Sequence, residues 1–289
     1  MSMQDEMIYK DTRDVYACHE QDGVQWLSSR KLDGLPGIRH AIATRHGGVS
    51  TGMYRSLNFS VSQGDDPQNV KQNFIRFGKA IGIPASEMVL TQQTHTTNLR
   101  YCTEQDCGKG VLRERDYRDI DGLYTDRAHV ALVISFADCV PVFLADPVHH
   151  VIAAVHSGWR GTVGRISTEM VSVMTDRFGT DPADITALIG PSICADCYEV
   201  DEPVIQRFRE VYPESNWEEI FYQTEEQQGS EHYQLDLWQA NRLNLEAAGV
   251  TTEHIEMTNL CTCCNPQMIF SHRATGGRRG VTVGVIEMV

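Results

Sequence analysis

Apolar positions along the chain fall into short groups with two different periods. Val70, Phe74, Phe77 and Ile81 recur at spacings of four, three and four, which sets them on one face of a helix. Asp66 suits its N-cap and Pro67 its first position, while Gly82 and Pro84 end it. A second helix is expected over residues 161–178. Val163, Ile166, Met170, Val173 and Met174 form its buried stripe, and Gly179 its C-cap. Residues 202–211 and 235–248 read as two more helices.

Strands are expected at 38–44, 88–92, 130–136, 140–144, 151–155, 185–189, 255–257 and 281–288. The run at 130–136 (VALVISF) is continuously apolar, as in a strand buried on both faces. The runs at 140–144 and 151–155 are joined by a short polar connection and read as paired strands. Residues 1–30 are weakly patterned, with one short strand around 24–27. Residues 101–118 are charged and read as a loop, and DGLYTD at 121–126 as a turn with acidic ends.

Several strands follow one another without an intervening helix. The expected fold is therefore mixed α/β (α+β), with layered sheets flanked by helices. No repeat or linker divides the chain. A single domain over 38–289 follows, with 1–37 either part of it or extended.

Composition narrows the function. The net charge is −14, so no nucleic-acid role is expected, because phosphate neutralisation needs clustered Lys and Arg. No run is apolar enough for a membrane span, and no secretory signal is evident at the acidic, polar start. The nine cysteines are an odd number in a long chain, which points to a reducing, cytoplasmic setting with free or metal-bound thiols. Nothing in the pattern sets an oligomeric state.

Chemistry-bearing residues gather at strand ends. Cys139, preceded by Asp138, opens the 140–144 run, His156 closes 151–155, and His95 follows 88–92. One thiolate and two imidazoles suit Zn²⁺ with an open fourth position, and also suit copper. The same residues fit a thiol nucleophile, with Cys139 and His156 as nucleophile and base and Asp138 as orienting group. An ordinary buried cysteine with two hydrogen-bonded histidines fits them too. CADC at 194–197 and CTCC at 261–264 allow a four-cysteine zinc site, although their separation is not a familiar ligand spacing, and a thiol-rich core edge is the plainer reading. Arg45, Arg160, Arg273, Arg278 and Arg279 lie beside glycines, as residues binding a small anion would.

Eight blocks then occur in order: TRHGGVSTGMYRSLNFS (44–60), GDDPQNVKQN (64–73), QQTHT (92–96), DGLYTD (121–126), ADCVPVFLAD (137–146), AAVHSGWRGTVGRI (153–166), GPSICADCYEV (190–200) and FSHRATGGRRG (270–280). Together they resemble the YfiH family, also called the multicopper polyphenol oxidase (laccase-domain) family and the purine nucleoside phosphorylase family. The resemblance implies a single-domain fold with α and β layers. It implies a zinc site on His95, Cys139 and His156. It also implies phosphorolysis of adenosine, inosine, guanosine or methylthioadenosine, and deamination of adenosine. On that reading the partners are a nucleoside and phosphate. Arg45, Gly48, Asn58 and Arg160 are candidates for holding substrate and phosphate, and Asp138 for acid–base work beside Cys139 and His156. Copper-dependent phenol oxidation is the alternative. A four-copper centre needs many histidines, however, and of the eleven here only His149 and His150 are adjacent. The cysteines of CADC and CTCC are not carried over from the family, and 101–118 is longer than the family's usual connection.

Overall fold

A computed structural model describes residues 3–289. Two six-stranded sheets pack face to face, each covered on its outer face by helices. The first sheet runs Tyr16–Gln21, Val24–Ser29, Ile38–Ala43, Thr282–Met288, Ala131–Phe136, Met88–Leu90. The second runs Ile255–Met257, Thr186–Ile189, Val140–Asp146, Val151–Ser157, Gly122–Thr125, Leu99–Tyr101. Each sheet is antiparallel through its middle; the pair at one edge of the first sheet and the pairs at both edges of the second are parallel.

The continuous apolar runs follow from this layering. In Val140–Asp146, Val142 and Leu144 face the helices while Phe143 and Ala145 face the other sheet, so both faces of the pleat are buried. Phe143 crosses the interlayer space to Gly284, where an added Cβ would lie 2.5 Å from the ring. The helix Pro67–Ile81 covers the first sheet through Val70, Phe74 and Phe77. Asp66 accepts a hydrogen bond from the Gln68 N–H, and Gly82 closes the helix in the left-handed region at φ 72°.

The structure departs from the sequence expectations at several points. Residues 121–126 are no turn: Gly122–Thr125 is an interior strand, with Leu123 in the interlayer core and Tyr124 under the helices. Burial on both faces erases the alternation that would have announced it. The helix expected over 161–178 is two, Trp159–Val163 and Ile166–Phe178. Between them Arg165 adopts φ 57°, and a Cβ on Gly164 would lie 2.5 Å from Thr97. Val173 is only partly buried, and Val171 takes its place in the buried stripe. Leu235 ends the strand His232–Leu235, and the last helix starts at Leu237, capped by Asp236. That strand lies between Glu199–Asp201 and Phe221–Tyr222 in a small third sheet. In the 1–37 segment, of which residues 1 and 2 lie outside the described residues, two strands extend the first sheet instead of one. Among the described residues, no helix is long and apolar enough to cross a membrane.

Candidate metal centre

The hairpin of the second sheet sets Pro141 opposite His156 and Val140 opposite Ser157. Cys139, one residue ahead of the first strand, therefore stands beside His156 at the same rim. His95 arrives from the loop after Met88–Leu90 and adopts φ 64°. The Cys139 thiol and an imidazole nitrogen from each histidine all lie within 4.8 Å of one another. Cys139 Sγ is 3.9 Å from His95 Nε2, and the two imidazoles meet edge to face at 5.0 Å. His156 is buried, Cys139 half-buried and His95 exposed, so the group has one open side.

Asp121 organises this group. The residue precedes the strand Gly122–Thr125 and is fully buried. Its Oδ1 accepts from His156 Nδ1 at 2.9 Å and from the His95 N–H at 3.1 Å. Its Oδ2 accepts from the N–H groups of Thr94 (3.1 Å) and Thr96 (2.9 Å) and from the Thr96 hydroxyl (3.0 Å). One carboxylate thus fixes the His95 loop and commits His156 to the tautomer protonated at Nδ1. That leaves Nε2 to face the thiol, the carboxylate–histidine arrangement common beside metal ions.

The electrostatics agree. Burial pushes the Cys139 thiol up, but the His156 and His95 imidazoles overcome this and bring it down to about 6. Burial opposes charge on His156, yet Cys139 and Asp121 raise it to about 9. Asp121 is held below the usual carboxylate range: burial opposes the shift, and the His156 and Thr96 hydrogen bonds outweigh it. A thiolate is therefore available at neutral pH.

Gly158 is the other residue that makes the site. An added Cβ there would lie 3.0 Å from Cys139 Sγ and 3.1 Å from His95 Cδ2. Neither Asp121 nor Gly158 was singled out as a site residue by the sequence pattern. Their only signals were their places inside two of the ordered blocks, DGLYTD and AAVHSGWRGTVGRI, with Asp121 as an acidic end of the first.

The remaining candidates are distributed differently. Asp138, at φ 93°, accepts from the Thr262 hydroxyl and from the Arg273 N–H, each at 2.6 Å, so both of its oxygens are engaged. Arg160 is exposed and stacks on Trp159 at 4.3 Å, two residues past Gly158. Arg45 donates to the carbonyls of Arg55 (2.9 Å) and Pro266 (2.5 Å) and lies 4.5 Å over Phe270. It lines a cleft with His46, Gly47, Arg55 and Gln267, to which His95, Cys139 and His156 do not contribute. Gly48 packs where a Cβ would lie 2.1 Å from the Ser56 carbonyl. Asn58 is buried, donating to Asp65 and Ser60 and accepting from the Val281 N–H. Two further residues lie within electrostatic reach of the thiol. Arg279 feels the charges of Asp138 and Cys139, and its Nε is buried without a hydrogen-bond partner. Burial, then the Cys139 charge, pushes the Tyr198 phenol up. His149 and His150, the adjacent pair, sit in the hairpin turn, where His149 bonds Asp146 at 2.8 Å.

Fold and site together define a two-sheet α/β protein with a Cys–His₂ group able to hold one metal ion. The chain belongs to the YfiH family: the family model described as "Multi-copper polyphenol oxidoreductase laccase" matches residues 39–289. It is 37% identical to the purine nucleoside phosphorylase YlmD of Geobacillus stearothermophilus, over 90% of this chain and 93% of that protein. It is 32% identical to the adenosine deaminase RL5 of an unknown prokaryotic organism, over 89% of this chain and 97% of that protein. The crystal structure of the hypothetical protein YfiH of Bacillus licheniformis superposes with a TM-score of 0.88 at 31% identity, covering 96% of this chain and all (100%) of that one.

Proposed function

We propose that the protein is a zinc-dependent purine nucleoside phosphorylase that also deaminates adenosine. The observation that carries this reading is the convergence of His95, Cys139 and His156 on one open-sided point, oriented by Asp121, in a chain whose relatives are named for those two activities. One thiolate and two imidazoles match the ligand types of a catalytic zinc site with a free fourth position. When bound, zinc supplies Lewis acidity there, which suits attack at a purine carbon.

The chain's own residues do the rest. Asp121 holds His156 in one tautomer and keeps the His95 loop in place. Gly158 leaves room for the thiolate and imidazole to share one point. Asp138, with both oxygens engaged, positions Thr262 and the Arg273 loop rather than moving a proton. Arg279, desolvated, with its Nε unpartnered and its charge coupled to that of Cys139, and Arg160 at the rim are the cations for phosphate. Arg45, Gly48 and Asn58 shape the neighbouring loop. Copper phenol oxidation is less well supported, because among the described residues His95 and His156 are the only histidines that share a donor cluster with a cysteine.

The test is direct. Purified protein is incubated with adenosine, with and without phosphate, and the products are separated. Phosphate-dependent adenine release and phosphate-independent inosine are expected, both abolished by His95→Ala. Absence of both products, or full activity in His95→Ala, overturns the reading.

A further inference from the structure

The motifs CADC and CTCC play no part in the site described above, yet the fold brings them together. Cys197 and Cys261 are 64 positions apart in the chain. Each pair follows one strand of a parallel edge pair, Cys194 and Cys197 after Thr186–Ile189, Cys261 and Cys264 after Ile255–Met257. A bridge between Ser192 and Cys261 carries that pairing onward, so the two Cys-x-x-Cys turns meet. The sulfurs of Cys194, Cys197, Cys261 and Cys264 all lie within 4.8 Å of one another, and Cys197 Sγ is 3.6 Å from Cys264 Sγ.

These separations select among the possibilities. Four thiolates on one zinc ion, with Zn–S bonds of about 2.3 Å, stand about 3.8 Å apart at the corners of a tetrahedron. An iron–sulfur cluster interposes several atoms and spreads its thiolates wider. A disulfide needs sulfurs about 2.05 Å apart, and none of the nine cysteines is paired. The Cys194 N–H donates to Cys261 Sγ at 3.2 Å, tying the two turns together. One zinc with four thiolates carries a net charge of about −2, and a cation is at hand. Lys10, bonded to Asp196 at 2.7 Å, also feels Cys194 and Cys264. Cys194 and Cys261 are buried, whereas Cys197 and Cys264 are half-exposed and give an ion its way in.

The geometry points to a second, closed zinc site on Cys194, Cys197, Cys261 and Cys264. Four protein ligands leave no open position, so its role is structural. It ties together the two segments that hold Asp138: the Ile193 N–H donates to the Asp138 carbonyl at 3.0 Å, and Thr262 holds its carboxylate. Zinc here would brace the wall beside Cys139 without touching substrate. Cys263 lies inside CTCC but outside the quartet, and serves as the control.

The experiment measures zinc per chain by mass spectrometry, with the zinc absorption edge recorded on the same samples. In a His95→Ala/His156→Ala chain, which lacks two ligands of the first site, one zinc should remain. Its shell should be four sulfurs at about 2.3 Å with no nitrogen. Cys264→Ser should lose one zinc relative to the wild type, and Cys263→Ser none. The double-variant chain keeps all four cysteines, so the proposal stays testable even if Cys264→Ser fails to fold. The proposal is overturned by a zinc-free double variant, a nitrogen-containing shell in it, iron in place of zinc, or a Cys197–Cys264 disulfide in freshly purified protein. None of these outcomes bears on nucleoside turnover, so the two readings can fail separately.

Discussion

Asp121→Asn is the most informative single change. The substitution keeps the side chain's shape but replaces one carboxylate oxygen with an amide that only donates. Either orientation is wrong. With the amide on the Oδ1 side, it faces His156 Nδ1 and the His95 N–H. On the Oδ2 side, it faces the N–H groups of Thr94 and Thr96 and the Thr96 hydroxyl. Two or three buried donors then lose their acceptor, at about 1–3 kcal/mol each before relaxation. Loop adjustment recovers part, leaving roughly 2–4 kcal/mol, or about 5–10 °C in Tm for a chain of this size. The chemical effect is more specific. The Oδ1-side orientation leaves fewer donors unpaired, and in it His156 no longer prefers the tautomer that turns Nε2 toward Cys139. Loss of such an outer partner lowers metal affinity by roughly 10–100-fold. The assay is competition for zinc against a chromophoric chelator, alongside thermal unfolding. To keep the second zinc from masking the change, the comparison is made in a Cys264→Ser background. Zinc affinity within twofold of the parent, in a folded variant, would refute the reasoning.

Three further outcomes are expected. Gly158→Ala forces Cys139 or His95 to give way by a few tenths of an ångström, at a backbone φ of −69° that alanine accepts; zinc affinity should fall roughly tenfold with little change in Tm, and unchanged affinity would count against a shared ligand point. In metal-free protein, the Cys139 thiolate should form with a midpoint near pH 6, against about 8.5 for an ordinary thiol. Alkylation of Cys139 by iodoacetamide, followed by peptide mapping, should trace that midpoint, and His156→Gln should move it upward. Glu287 is buried against Glu87, and burial, then that neighbour, raises its carboxyl above the usual glutamate range. The folded state therefore holds a proton that the unfolded chain releases. Stability is full below the ordinary glutamate pKa and declines as pH rises through the raised folded value. Glu287→Gln should remove that decline, gaining about 1–3 kcal/mol at pH 8 and little at pH 4.5 in urea unfolding; identical pH slopes for the two proteins would exclude it.

Local pattern carried much of the fold. The helix Pro67–Ile81 with its Asp66 and Gly82 caps, the Glu202–Val211 helix and the Ile255–Met257 strand are each written in a few adjacent residues. It was weakest where burial on two faces removed periodicity, as at Gly122–Thr125, and where a distant contact broke a helix, as Thr97 does at Gly164. The site divides in the same way. Cys139 and His156 were legible as a pair, because a hairpin brings its two ends together by construction.

By itself the sequence determined which residues are strand, helix and turn over most of the chain, and which bear thiols, imidazoles and carboxylates. His95 stood at a strand end as one candidate among others, and family resemblance made it the third ligand. Only the tertiary structure decided which of these meet. Asp121 serves the site because the strand it precedes pairs with the strand that carries His156 near its end. Cys194 and Cys197 face Cys261 and Cys264 because Thr186–Ile189 and Ile255–Met257 lie side by side. Periodicity is a property of neighbours along the chain. Convergence depends on strand order, and strand order follows from packing two whole sheets against each other.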